Sequence, residues 1–330
     1  MKILFITSMH PTKASPNRGI NIIRIADEIR RLAHAVELLE LGEGGGPVRY
    51  LTARRRVART VGSWVPDLVH IHFGYSGLAV PPVQVPVVTS FYGDDLNGTY
   101  NLRGGITLKS KLGVAISQLV ASRSQRCIVV SAALRSRLWW PGLQAKTRVV
   151  RDAVDPSVFR PLARHEARSH LGLPIDGKLI LFPHDVSQPT KRVGLALAAV
   201  EVMRSLEPEA RLWIVNGKPP GEMPWYYAAA DVMIVTSALE GGPSSAKEAL
   251  ACGVPVVSVP VGDTALFAEA PDAIVMAEPT PVGLANALHR AVELARLPRR
   301  SHLPDQLLLP NAARAVVEVY REALGAAKVN

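Results

Sequence analysis

Asp231 to Asp263 reads DVMIVTSALEGGPSSAKEALACGVPVVSVPVGD, and its residue types predict strand, loop, helix, strand and loop in that order. Two β-branched runs, Val232 to Thr236 and Val254 to Val259, flank one helix, which is the repeating unit of a parallel sheet with crossover connections. The helix is expected to open at Pro243, which suits a first helical position, and to close at Gly253, which suits the left-handed residue past a helix end. Such a start points free backbone N–H groups and a positive dipole end at the loop Glu240-Gly241-Gly242, an arrangement that holds phosphate groups. Two glycines there let a diphosphate approach the backbone closely. A second reading of this helix stays open: Ser245-Ala246-Lys247-Glu248 has capping-box spacing, with Glu248 turned to backbone near its own helix start.

The same alternation extends through the rest of the chain. Upstream, strands are expected at Lys2 to Ile6, Val36 to Leu39, Leu68 to His72, Val85 to Ser90, Cys127 to Val130 and Thr147 to Val150. Ile22, Ile25, Ile29 and Leu32 recur on one face of a helix from Ile20 to Leu32. The pattern pauses at Asp155-Pro156 and Arg160-Pro161 and restarts at Lys178 to Phe182, with further strands at Arg211 to Val215 and Ala273 to Met276. Two doubly wound domains are therefore expected, 1–160 and 161–330, with the final helix able to pack back toward the first. Ligands in such sheets sit beyond the carboxyl ends of strands, so the loops after Ile6, Ser90, Phe182, Val215 and Thr236 are where chemistry belongs. The run Gly42 to Gly46 lacks the spacing of a phosphate cradle and reads as a flexible connection. His70 and His72 are expected to face opposite sides of their strand, unable to share a metal, and to serve as packing or acceptor-side residues.

Bulk properties narrow the field. The chain has 330 residues, 48% of them hydrophobic and 20% charged, which suits two globular domains. No run approaches the ~18 apolar residues of a membrane span, and the N-terminal apolar stretch turns polar at Thr7 and Ser8, so neither a span nor a signal peptide is expected. Cys127 and Cys252 each lie in an apolar segment, which points to buried thiols in a reducing compartment. A net charge of +10 favours a polyanionic partner: a phosphorylated small molecule, an anionic lipid surface or nucleic acid. Arg54, Arg55, Arg56 and Arg59 form the densest basic cluster, with Arg123, Arg126, Arg135 and Arg137 a looser one. Each is either a solvated face or a docking patch; neither interleaves aromatics, so nucleic acid ranks last.

The segment E-G-G-P-S-S-A-K-E-A-L-A-C-G-V-P-V-V, Glu240 to Val257, resembles the family 4 retaining glycosyltransferases, glycosyl transferases group 1. That resemblance implies the GT-B fold, two Rossmann-like doubly wound domains facing a central cleft, with an acceptor-side domain at 1–160 and a nucleotide-sugar donor domain at 161–330. It implies that Glu240 sits beside the transferred sugar, that Glu248 binds ribose hydroxyls, and that Gly241, Gly242, Pro243 and Ser244 line the diphosphate. Phe182-Pro183-His184-Asp185 followed by Lys191 falls where the family has Gly-Arg and then Lys on the pyrophosphate. Lys191 matches and Pro183-His184 departs, leaving His184, Arg192 or Arg18 to replace the lost charge. Gly19 corresponds to the family's glycine after the first strand. Val87 to Asp95 resembles the element ending in His-Gly-x-Asp, with Tyr92 in place of the histidine and Asp94 and Asp95 on the acceptor side. Asp152 to Pro161 resembles the interdomain segment; Asn216, Gly217 and Met223 fall where the family binds the nucleotide.

The expectation is thus a metal-independent hexosyltransferase without a cofactor beyond its UDP- or GDP-linked co-substrate, with Glu240, Lys191 and Tyr92 as catalytic residues. Its acceptor would be a lipid-linked or free glycan, for polysaccharide, glycolipid or glycoconjugate synthesis. Its place would be the cytoplasm, peripheral to the anionic inner membrane face. The alternative is a non-catalytic nucleotide-sugar-binding module acting through its basic surface.

Overall fold

A computed structural model describes residues 1–12, 18–42, 48–99, 105, 107–264 and 273–327; most of the glycine run, 43–46, falls outside them. The chain divides into two compact units. Of the described residues, the first holds those up to Asp152 together with those from Leu309 onward, and the second holds Ala153–Leu308.

In the first unit, β1 (Lys2–Thr7), β2 (Ala35–Glu40), β3 (Leu68–His72), β4 (Val87–Phe91), β5 (Arg126–Val129) and β6 (Thr147–Val149) form one parallel sheet in the order β2-β1-β3-β4-β5-β6. Its central strands are apolar on both faces, every residue of β3 being buried, because helices cover both sides. Helix Ile20–Arg31 buries Ile22, Ala26 and Ile29, and these share a core with Ile3, Phe5, Val88 and the last helix, Leu309–Ala327, through Ala313, Val316, Tyr320 and Ala323.

In the second unit, β7 (Lys178–Phe182), β8 (Ala210–Ile214), β9 (Val232–Val235), β10 (Val256–Ser258) and β11 (Ile274–Met276) form a parallel sheet in the order β11-β10-β9-β7-β8. The fold class expected from the alternation is the one observed. Two expected strands begin two residues late, each for the same reason: a proline has no N–H to give the ladder. Pro86 and Pro255 stand just outside β4 and β10, where their carbonyls accept from Val69 N at 3.0 Å and Met233 N at 2.9 Å.

The chain enters the second unit at Asp152–Ala153 and leaves it at Leu308–Leu309. Composition breaks suggest 160/161 instead, but the residues between belong to the second core: Phe159 is buried in it, and Val154 N donates to Leu307 O at 2.8 Å. Strand order reverses between β1 and β3 in one sheet and between β7 and β9 in the other, and a ligand crevice of a doubly wound sheet opens at such a point. Among the described residues, no helix is long and apolar enough to cross a membrane.

Candidate functional site

The loops leaving β7 and β9 carry Lys191 and Glu240, two of the residues singled out from the sequence. Lys191 ends a short 3₁₀ turn, Pro189–Lys191, stitched to the end of β9: Thr236 Oγ1 donates to Lys191 O at 2.7 Å and Ala238 N to Thr190 O at 2.8 Å. Lys191 Nζ then reaches Glu240 Oε1 at 2.5 Å, with the two side chains 17% and 14% exposed. Two sequence-predicted residues lying 49 positions apart are thereby joined in one ion pair at the switch point.

Behind Glu240 the chain enters helix Ser244–Ala251. Pro243 is the cap, with φ −71° and ψ 96°, so the helix opens one residue later than expected. Among the described residues, the first amide to find a partner at this end is Ala246 N, which donates to Pro243 O at 3.1 Å; the first amides of a helix have no intrahelical acceptor. The other end is as expected, with Gly253 at φ +71°. Glu248 accepts from Tyr227 Oη at 2.8 Å, and the cap itself is a proline without a side-chain bond, so the capping-box reading is replaced. Glu240 and Glu248 each have their own partner. Beneath the loop lies a pair that the motif did not single out. Lys247 Nζ stands 2.9 Å from Asp263 Oδ2, both side chains essentially unexposed.

The other donor-side candidates have varied surroundings. His184 packs edge-on against Phe182, ring centroids 5.2 Å apart. Burial and then the charge of Lys191 push its pKa down to about 3, so the ring is neutral and supplies no replacement charge. Its Nε2 is buried without a partner among the described residues. Arg192 is also occupied, donating to Thr236 O at 2.5 Å and Ser237 O at 3.3 Å. Asp185 accepts from Ser187 N at 2.9 Å in a local turn. Asn216 and Gly217, the latter at φ +70°, are exposed after β8, whereas Met223 is in the core.

In the first unit, Gly19 heads helix Ile20–Arg31 at φ +68°, and a Cβ there would lie 2.3 Å from Met9 O. Its own fold therefore demands the glycine. Arg18 donates to Ser8 O at 3.3 Å. His70 and His72 share a face, as residues two apart on a strand must, and their rings lie 3.9 Å apart; the expectation of opposite faces was a geometric error. His72 Nδ1 and Tyr92 Oη are hydrogen-bonded at 2.6 Å. Burial, then Asp152, holds the Tyr92 hydroxyl well above its ordinary pKa, so it is a neutral hydrogen-bonding group and not a base. Asp94 is exposed. Asp95 is buried, accepting from Tyr92 N at 3.1 Å, Gly93 N at 3.0 Å and Gly74 N at 3.4 Å, and burial raises its pKa to about 6 despite those bonds. It builds the loop.

Elsewhere, burial pushes the thiols of Cys127 and Cys252 up to about 11 and about 12. Trp139 and Trp140 are 53% and 52% exposed directly after Arg135 and Arg137, so this basic cluster does have aromatic company, contrary to expectation.

The sequence matches two family descriptions, "Glycosyl transferase 4-like domain" over residues 14–153 and "Glycosyl transferases group 1" over 199–302. It is 27% identical over 304 residues to a D-inositol 3-phosphate glycosyltransferase from Thermobifida fusca, covering 78% of this chain and 70% of that one. In fold it is similar to sucrose-phosphate synthase from Thermosynechococcus elongatus, with TM-score 0.77, 16% identity and coverage of 99% and 100% of the two chains. It is also similar to Anabaena HepE in complex with UDP and glucose, with TM-score 0.65, 16% identity and coverage of 99% and 98%. The chain belongs to the family 4 glycosyltransferases, retaining enzymes of the GT-B fold that use a nucleotide-sugar donor.

Proposed function

We propose that the second unit holds a UDP- or GDP-linked hexose between Lys191, Glu240 and the start of helix Ser244–Ala251, and that the first unit serves the acceptor through Tyr92 and Asp94. The observation that carries this reading is the Lys191–Glu240 pair at the β7/β9 switch point. HepE, of like fold, is known with UDP and glucose bound, which supports a uridine nucleotide.

The transfer breaks the bond from the anomeric carbon to the diphosphate oxygen and forms one to the acceptor oxygen on the same face. The acceptor proton passes to the departing phosphate oxygen. Negative charge therefore grows on the diphosphate, where an ammonium and unpaired amides stabilise it strongly only with water excluded. In the free protein Glu240 keeps Lys191 in place, and on binding the lysine turns to the phosphate while the carboxylate orients the sugar. The unpartnered Nε2 of neutral His184 supplies a further hydrogen bond.

Glu240→Ala is expected to lower transfer by about a hundredfold or more in a protein that still unfolds cooperatively, with its melting point lowered by the unpaired Lys191. Transfer is to be measured as nucleoside diphosphate released from UDP- and GDP-linked sugars. Near-normal turnover removes Glu240 from the site. Lipid-linked or free glycans are the acceptors in this reading, and a cytoplasmic location against an anionic membrane belongs to it, supported by the exposed Arg54, Arg55, Arg56 and Arg59.

A further inference from the structure

Lys247 is a costly residue where it stands. It lies in the first turn of helix Ser244–Ala251, where the dipole disfavours a cation, and its side chain is 0% exposed. Withdrawing an ammonium from water calls for a close counter-charge, here Asp263 at 2.9 Å. A leucine would fill the same space at less cost. Helical side chains lean toward the N-terminus, and this one brings Nζ under Gly242: a Cβ on Gly242 would lie 3.0 Å from Nζ and 3.2 Å from Asp263 Oδ1. The neighbouring Gly262, at φ +59°, lies just as close beneath the loop. A Cβ on it would sit 3.2 Å from Pro243 Cδ, 3.3 Å from Gly242 Cα and 3.4 Å from Glu240 Cβ. Glu240, Gly242 and Pro243 of the loop thus lie against the pair or the glycine beside it.

We propose that the Lys247–Asp263 ion pair is the positioning element of the donor-phosphate loop. It fixes the height of Gly242 and Pro243, and through them the aim of the Glu240 carboxylate and the Ser244 amide. The proposal rests on reading that loop as the diphosphate site. Both members act through the loop and touch no reacting atom.

The test replaces both charges together, Lys247→Met with Asp263→Leu, because apolar replacement of a whole buried pair commonly preserves folding whereas removing one partner strands a charge. UDP and GDP are titrated calorimetrically into wild type, the double variant and Lys191→Ala, with a melting curve for each. The expected result is a double variant that melts like wild type yet binds the nucleoside diphosphate at least about tenfold more weakly. Wild-type affinity in the double variant, with Lys191→Ala impaired, overturns the positioning role alone. A wild type that binds neither nucleotide, or an unimpaired Lys191→Ala, overturns the site reading and this role with it. If the double variant does not fold, Asp263→Glu takes its place, keeping both charges while lengthening the acid by one methylene against Gly242. The same weakening is expected, and unchanged affinity overturns the proposal.

Discussion

His70 is 1% exposed and bonded through both ring nitrogens, to Tyr320 Oη at 2.6 Å and Ser90 Oγ at 2.8 Å. Burial lowers its pKa from 6.5 to about 3. A base depressed in the folded state takes its proton first in the unfolded chain. Its contribution is therefore complete above pH 6.5 and is lost as pH falls toward 3. At pH 5 the loss amounts to about 2 kcal/mol. Asp95, with its pKa raised to about 6, works in the opposite direction, so the effect is read as a difference between variants. Urea unfolding of wild type and His70→Gln at pH 7 and pH 5 is expected to show wild type losing that amount relative to the variant; equal losses refute it. At this scale the sequence singled out Glu240, Glu248 and Lys191, and the structure shows the partners of each: Lys191 and Glu240 pair with one another, and Glu248 accepts from Tyr227. The sequence concealed those whose role comes from contacts across the fold. Nothing in Lys247 alone names Asp263, and Tyr92 meets His72 only because β3 and β4 are neighbours.

Helix Val48–Trp64 turns Tyr50, Ala53 and Val57 inward and leaves Arg54, Arg55, Arg56 and Arg59 outside, beside Val48 and Leu51 at 63% and 57% exposure. A basic face with apolar company suits an anionic lipid surface, where each cation near the surface contributes about 1 kcal/mol. Sedimentation with vesicles rich in phosphatidylglycerol is expected to carry the protein down at low salt. Joint reversal of Arg54, Arg55 and Arg59 to glutamate should reduce partitioning at least about a hundredfold. Binding indifferent to lipid charge and salt contradicts the proposal. Elements were more legible than partners. Strands declared themselves through β-branched runs, and the prolines that clip β4 and β10 were visible as residues though not as strand ends. The periodicity of the last helix reveals an apolar stripe, but a stripe does not say which sheet it covers.

At the scale of the whole molecule, the chain passes into the second unit at Asp152 and returns at Leu309. The two connecting strands meet where Val154 pairs with Leu308. The first core is incomplete without the returning helix, since Ile22, Ala26 and Ile29 pack with Val316, Val317 and Tyr320. Each large side chain so buried is worth about 2 kcal/mol. Residues 1–152 expressed alone are expected to bind a hydrophobic dye and to melt without cooperativity. The same residues joined by a short flexible linker to 309–327 should melt cooperatively, as followed by circular dichroism. A cooperative transition in the short fragment contradicts this. One consequence concerns birth rather than stability. Domains generally acquire their structure in the order in which they emerge from the ribosome, but here the earliest translated half waits for its closing helix until Leu309 and beyond have been made. The middle of the chain matures first, and a nascent chain stalled before that helix leaves its leading half unfinished and in need of a chaperone.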